Sequence, residues 1–431
     1  MAPARLRGRR GRFVNAPIRL GLRANAAQFA LLALDNVFVG MLIGSERTVV
    51  PLLGVQSFGV SSMIVLLTFV VAFGVVKGPL NLVGGHLADR IGRRRILLLG
   101  WCLGLPVPWL LLWAPSWAWV VVANLLLGAN QGFAWSMTVT SKIDLVGGKQ
   151  RGLALGINEF SGYVGVAIAS AATGMMAASY GLRPIPFVFA GLVAIVGLSI
   201  ALFIRETRPF AQLEHRQADP PAQPGSSGIG SVFADVTWRN ATLRACCQAG
   251  ALNKFSDTAV WVLVPLAMAA QGFRVATIGA VAGLYALVWG VAQLGTGALS
   301  DRIGRKKPIV AGLMLDATGL GLAATAHTLA AWFSAGITMG IGTALLYPVL
   351  LAAVSDVTPP MRRGASLGVY RLWRDGGYAI GGIVIGLVAS RLNINASFFT
   401  LAIALFVSAA LAAWWMRETH PRTTPAAGVL Q

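Results

Sequence analysis

The chain has 431 residues, 56% of them hydrophobic and only 12% charged, yet its formal net charge is +20. A soluble domain carries about 25% charged residues, so a mean hydropathy of +0.70 leaves too little polar surface to cover a globule of this size. A water-soluble fold is excluded, and the length suits roughly twelve membrane-spanning helices of about 20 residues with short connections.

In chain order, long apolar stretches predict spans at 25–51, 60–87, 96–114, 117–141, 151–179 and 185–204, then 243–269, 274–298, 308–326, 329–353, 363–389 and 395–416. The first 24 residues are Arg-rich and lack an apolar core ahead of a cleavage site, so the first span is expected to act as its own insertion signal. Residues 205–242 are polar, and Pro220, Pro221, Pro224 and the run Gly225-Ser226-Ser227-Gly228 suit a flexible connection. The predicted fold is all-α and integral to the membrane. Its parts are a basic cytoplasmic tail (1–24), a six-helix bundle (25–204), a cytoplasmic linker (205–242), a second six-helix bundle (243–416) and a cytoplasmic tail (417–431). Cys102, Cys246 and Cys247 lie in or beside apolar runs, with neither a disulfide framework nor zinc-site spacing. No cofactor is expected.

The sequence repeats itself at a fixed offset. Gly85-His86-Leu87-Ala88-Asp89-Arg90-Ile91-Gly92-Arg93-Arg94 returns as Gly297-Ala298-Leu299-Ser300-Asp301-Arg302-Ile303-Gly304-Arg305-Lys306, shifted by 212 positions. Asp144, Arg151-Gly152 and Gly156 return as Asp356, Arg363-Gly364 and Gly368, and Arg205-Glu206-Thr207 returns as Arg417-Glu418-Thr419, at the same shift. Each half is therefore one copy of a six-helix pseudo-repeat, and the two run in the same direction. With the N-terminus inside, 27 of the 35 Lys and Arg residues fall on cytoplasmic segments, Lys142 among them. Only Arg183, Arg274 and Arg391 fall outside. The basic balance thus reports orientation, expected in the plasma (cell inner) membrane with both termini cytoplasmic, and no nucleic acid is needed to explain it. An anionic cytoplasmic leaflet is the expected lipid partner.

The paired Gly-x-Leu-x-Asp-Arg-x-Gly-Arg-Arg/Lys loops, between spans 2 and 3 and again between spans 8 and 9, resemble the major facilitator superfamily over nearly the whole chain. That resemblance implies a secondary transporter in which the loops form a cytoplasmic gate. Asp89, Arg90, Arg93, Asp301, Arg302 and Arg305 are the gate residues it implies, with Asp89 facing the span that starts near Arg363 and Asp301 the span that starts near Arg151. It also implies that spans 1, 4, 7 and 10 line the cavity while 2, 5, 8 and 11 form the contact between halves. Drug exporters of the superfamily usually carry Arg in span 4, where this chain has Asn124, and a Gly-Pro pair in span 5, where it reads Gly156-Ile-Asn-Glu159. The stretch from Tyr370 to Tyr378 looks like a subgroup with magnetosome-associated members and implies no substrate.

Eleven charges fall inside the predicted spans: Asp35, Glu46, Arg47, Lys77, Glu159, Lys254, Asp257, Asp316, Arg371, Arg374 and Asp375. Facing lipid they would cost on the order of 30 kcal/mol together, so they must pair, meet water or sit at an interface. Asp35, Lys77, Glu159, Lys254, Arg371 and Arg374 all come roughly 12–17 Å from the predicted cytoplasmic helix ends, one layer near the midplane. Secondary transporters bind substrate in such a layer. The expected substrate contacts are Lys77, Arg371, Arg374 and Lys254, with Asn36, Gln131, Trp135 and Tyr347. Asp35, Glu159, Asp375 and Asp257 are the candidate proton carriers. Arg371 with Asp375 and Lys254 with Asp257 are spaced for same-helix pairs, a Lys77–Asp375 bridge is an alternative, and Glu159 and Arg371 are related by the 212 shift. Glu46 and Arg47 read as an external gate pair, and Asp316 is left without a role.

These readings point to a monomeric, proton-coupled carrier of a small organic anion. The alternatives are an exporter of amphipathic or cationic compounds, a metal or metal-chelate carrier, and a non-transporting receptor or assembly protein on the same scaffold. No metal site or enzyme motif is expected.

Overall fold

The computed structural model describes residues 18–147, 151–217, 229–359 and 362–420. The N-terminal tail to residue 17, Lys149, the Pro/Gly tract from Pro220 to Gly228, and Arg422 with the rest of the C-terminal tail lie outside them.

Twelve long helical rods are present among the described residues. They are α1 (Ala26–Gln56), α2 (Met63–Ile91), α3 (Arg93–Trp113, with a break between Gly104 and Val107), α4 (Trp117–Asn130, Gln131–Trp135 and Ser136–Val146), α5 (Arg151–Tyr180) and α6 (Ile185–Phe203). The second half follows with α7 (Ala241–Thr258, Ala259–Leu263 and Val264–Ala270), α8 (Val275–Ile303), α9 (Lys306–Ala324), α10 (Leu329–Val357), α11 (Arg363–Arg391) and α12 (Ile394–Trp415). Short helices at Arg208–Gln217 and Ile229–Ala234 occupy the linker. Side chains of Asn240, Thr328 and Asn393 cap α7, α10 and α12 by accepting from backbone N–H groups three residues on.

Nine of these rods are long and apolar enough to cross a bilayer. The other three are α4 and α7, each interrupted by one π-helical turn, and α11, which carries charges at Arg371, Arg374 and Asp375. A π turn inserts one residue into the ladder and re-aims the side chains around it.

The halves meet where α2 packs on α11 and α5 on α8, both through glycine. A β-carbon at Gly279 would stand 2.7 Å from the Ser170 carbonyl oxygen, and one at Gly78 3.2 Å from that of Leu372. Small residues of this kind let membrane helices approach backbone to backbone.

The end of the molecule that carries the termini is clasped by a set of bonds occurring twice. Glu206 accepts from the backbone N–H of Arg93 (3.0 Å) and Arg94 (3.2 Å), and Glu418 from Arg305 (2.7 Å) and Lys306 (3.1 Å), capping α3 and α9. Arg93 reaches Asp144 at 3.0 Å and Arg305 reaches Asp356 at 3.1 Å. Gly92 and Gly304 turn the chain between these rods at φ +105° and +92°, where a β-carbon would also strike Glu206 or Glu418.

The expected cross-half contacts of the gate carboxylates are corrected here. Asp89 pairs with Arg93 of its own loop (2.8 Å) and Asp301 with Arg305 (2.7 Å), and their side chains are 68% and 60% exposed. Neither docks on the opposite half, because the halves part toward this end: nothing lies within 4 Å of a β-carbon at Gly152, Gly156, Gly295 or Gly297 where α5 meets α8, or at Gly85 or Gly364 where α2 meets α11. Arg90 and Arg302 are exposed.

Candidate functional site

The opening between the halves forms a vestibule of about 510 Å³ on the termini side, lined by α5, α8, α10 and α11 and reaching from Asp301 and Gly152 up to Glu159, Tyr347 and Arg371. Those last three residues also line a closed chamber of about 20 Å³, room for one water, together with Lys77, Asn81, Trp135, Ser136, Tyr163, Arg374 and Asp375. The chamber draws on α2, α4, α5, α10 and α11. Rods α2, α5 and α11, which form the contact between halves, supply all five of its charges, the expected site residues Lys77, Glu159, Arg371, Arg374 and Asp375. Rods α1 and α7, expected to line it, do not reach it.

Inside the chamber, Asp375 is fully engaged. Arg374 Nη1 donates to one oxygen at 2.8 Å, and Asn81, itself held by Ser136 at 2.7 Å, donates to the other. The expected Arg371–Asp375 and Lys77–Asp375 pairs are absent among the described residues: Arg374 has taken the carboxylate. Lys77 instead faces the rings of Phe73, Tyr378 and Trp135 at 5.3, 5.5 and 5.8 Å. Glu159 Oε1 accepts from Trp135 Nε1 (3.0 Å) and Asn158 Nδ2 (3.1 Å). Arg374 lies over the Tyr347 ring at 3.9 Å.

On the side away from the vestibule sits a second buried cluster. Asp257 accepts from Arg47 Nη1 (2.5 Å) and Nη2 (3.1 Å), from Lys254 Nζ (3.1 Å) and from the Tyr378 hydroxyl. The Lys254–Asp257 pair is therefore present as spaced, but Arg47 reaches across from the other half to share it. Arg47 and Glu46 do not form an external pair. Helix α1 continues to Gln56, placing Arg47 nine residues, or about 14 Å, below its end. Adjacent residues point about 100° apart on a helix, and Glu46 is buried beside Asn124 instead.

Three expected site residues turn away from the chamber. Trp101 of α3 donates to Asp35 at 3.0 Å. Asn36 bonds the Asn158 carbonyl (2.6 Å) and accepts from Thr138 (2.9 Å), and Gln131 bonds the Val39 carbonyl (3.0 Å). All three knit the first bundle, since buried polar groups in a helix bundle are held by the neighbours they face. Asp316 finds a place in the second bundle, accepting from Asn253 (2.9 Å) and Thr343 (3.2 Å) and so joining α9 to α7 and α10.

Some residues at the site escape sequence reasoning. Lys142, counted with the cytoplasmic cations, is fully buried and donates to Asn158 at 2.6 Å, one bond from Glu159. Tyr163, Asn81, Ser136 and Tyr378 carry no charge to flag them. One signal was available: Trp135 and Tyr347 differ by 212 positions, as do Tyr163 and Asp375, and Lys77 and Trp289. Trp289 stacks on Tyr163 and lies 4.6 Å from Lys254 Nζ.

Two six-helix halves enclosing a charged central chamber, with access from one end, define a multi-pass membrane transporter. The Major Facilitator Superfamily profile matches residues 36–253 and 247–429, and the chain belongs to that family. It is 27% identical over 377 residues to the multidrug resistance protein MdtG of Enterobacter lignolyticus, covering 86% of this chain and 85% of that one. It is 33% identical over 156 residues to the inner membrane transport protein YajR of Escherichia coli, 36% of this chain and 33% of the other. The fold is shared with the solved nucleoside transporter NupG, at a TM-score of 0.70 and 14% identity, covering 90% of this chain and 100% of that one.

Proposed function

We propose that this transporter carries a small organic anion, coupled to protons, by rocking its two bundles around the central chamber. The observation that carries the reading is a charge surplus. Around the chamber and the adjoining cluster stand five cations, Arg47, Lys77, Lys254, Arg371 and Arg374, against three carboxylates, Glu159, Asp257 and Asp375. Buried surplus charge of one sign calls for a counter-charge, and an anionic solute supplies it. Glu159 is the proposed proton carrier, because it lines both the vestibule and the chamber and makes no ion pair among the described residues. The bias of basic residues supports a cytoplasmic position for the termini side, and hence for the vestibule, in the cell inner membrane. A monomer suffices, since one chain contains the whole chamber.

The second reading, export of amphipathic compounds, is favoured by the similarity to MdtG, whose name describes multidrug resistance. Flux in proteoliposomes separates the two. Uptake of carboxylates driven by a proton gradient, abolished by Arg374→Ala and uncoupled from the gradient by Glu159→Gln, is expected. Flux of cationic dyes with none of carboxylates would replace the anion reading by the exporter.

A further inference from the structure

Resting on the anion reading of the central chamber, we propose that the substrate is a short dicarboxylate, gripped at one end by Arg371 and at the other by Lys77 and Arg374. The donors left unspent in the chamber fall in two places. Deep inside, Arg374 gives Nη1 to Asp375, and its Nη2 is buried without a hydrogen-bond partner. Beside it Lys77, only 8% exposed, meets aromatic faces but, among the described residues, no carboxylate within 4 Å. One helical turn nearer the vestibule, Arg371 is half-buried, lines both cavities and forms no ion pair among the described residues.

Glu159 faces the same space yet leaves Arg371 unmatched, because Trp135 and Asn158 hold its Oε1 toward the first bundle. Arg371 and Arg374 stand three residues apart on α11, and such side chains leave the helix about 5–6 Å from one another. That spacing suits the two ends of a four- or five-carbon diacid, which would enter from the vestibule of about 510 Å³ and widen the chamber, closed here around room for one water. Tyr347, with Arg374 stacked 3.9 Å from its ring centre, and Trp135 wall the space between them. A monocarboxylate fills one place and leaves a cation unpaired at the other, the arrangement that makes polar sites reject incomplete ligands. A phosphate monoester puts both charges at one end and meets the same penalty.

The test is calorimetric titration of the purified full-length transporter with glutarate, valerate and butyl phosphate. Glutarate is expected to bind at least about tenfold tighter than the other two, about 1.4 kcal/mol. Arg371→Ala should erase that gap while leaving valerate affinity within about twofold, and Arg371→Lys should keep most of it, so that a folding defect is told apart from lost recognition. Arg374→Ala should weaken all three ligands. Equal binding of valerate and glutarate, tighter binding of butyl phosphate, or an Arg371→Ala loss shared equally by all ligands would overturn the dicarboxylate assignment. If monocarboxylates bind through Arg374 with no preference for the diacid, the anion reading stands and this inference falls. If no carboxylate binds at all, both fall.

Discussion

The bidentate bond between Arg47 and Asp257 ties α1 of the first bundle to α7 of the second on the side away from the vestibule, with both side chains at most 2% exposed. Its two ends are not equally replaceable, and that asymmetry is testable. Asp257→Asn leaves Arg47 and Lys254 buried together without their carboxylate, and removing one partner of a buried pair costs about 3–5 kcal/mol. Arg47→Met leaves Asp257 still bonded to Lys254 at 3.1 Å and to Tyr378, so the loss is that of one charge-assisted interaction, about 1.5–3 kcal/mol. Because the bond spans the two bundles, opening this side is expected to break it, so the penalty falls on the closed arrangement and moves the population toward the one open there. At about 1.4 kcal/mol per tenfold, Asp257→Asn should shift that balance by about two to three and a half orders of magnitude and Arg47→Met by about one to two.

The readout is labelling of a Ser136→Cys reporter in the chamber, in a background lacking Cys102, Cys246 and Cys247, by an impermeant maleimide added from the side opposite the termini. Labelling should rank Asp257→Asn, then Arg47→Met, then the parent protein. The double variant should be less perturbed than Asp257→Asn alone, since it removes the orphaned guanidinium too. If Arg47→Met labels faster than Asp257→Asn, or neither differs from the parent, the bond is not what holds this side shut.

Gly279→Val should be incompatible with closure on the same side, because its β-carbon would stand 2.9 Å from the Gly174 Cα; transport should fall at least about tenfold while the same reporter becomes more accessible. Asp316→Ala should lower thermal stability by about 1–3 kcal/mol by removing the buried carboxylate that Asn253 and Thr343 share, leaving Asn253 with Thr343 alone (3.0 Å), yet leave the anion specificity of the folded fraction intact; a changed specificity would move Asp316 into the site. Burial pushes the Glu418 carboxyl up, but four backbone N–H donors, from Arg305, His420, Lys306 and Thr419, outweigh it and hold the group below the usual carboxylate range. A depressed carboxylate stabilises the fold above its unfolded value and loses that contribution as pH falls through the folded one. The α9 cap should therefore survive at pH 5 and fail only in stronger acid, and Glu418→Gln should remove that acid step from the melting profile. Glu206→Ala and Glu418→Ala should each cost about 1 kcal/mol, since they cap α3 and α9 alike.

The rods and their duplication were legible because both rest on strong, local signals: apolar runs of spanning length, and loops whose turn glycines and charges recur at one offset. The structure repeats that offset bond for bond, from Arg93–Asp144 to Arg305–Asp356. Side-chain direction was far less legible. In a helix apolar on every face, periodicity does not separate the face toward the chamber from the face toward its own bundle, so Asp35, Asn36 and Gln131 were placed in the wrong space. Arg47 was placed too shallow because the first span was bounded at residue 51, whereas α1 accommodates Pro51 and runs on to Gln56. Lys142 looked like a loop cation four residues from the end of α4, and only its bond to Asn158 keeps it inside.

The offset carries one further consequence for the site. Of the chamber's duplicated positions, Trp135 and Tyr347 keep aromatic character in both copies, while Lys77 faces Trp289, Asp375 faces Tyr163 and Glu159 faces Arg371 across the pseudo-twofold relation. The scaffold is symmetric where it packs and asymmetric where it is charged. A symmetric chamber would present the same groups to both ends of a solute, whereas here those three pairs differ in charge or polarity, as do Arg374 with Gly162 and Ser136 with Pro348. Substrate orientation therefore follows from which copy holds the ion and which the ring, and exchanging Glu159 with Arg371 would reverse the charge order along the chamber without disturbing the repeat that builds it.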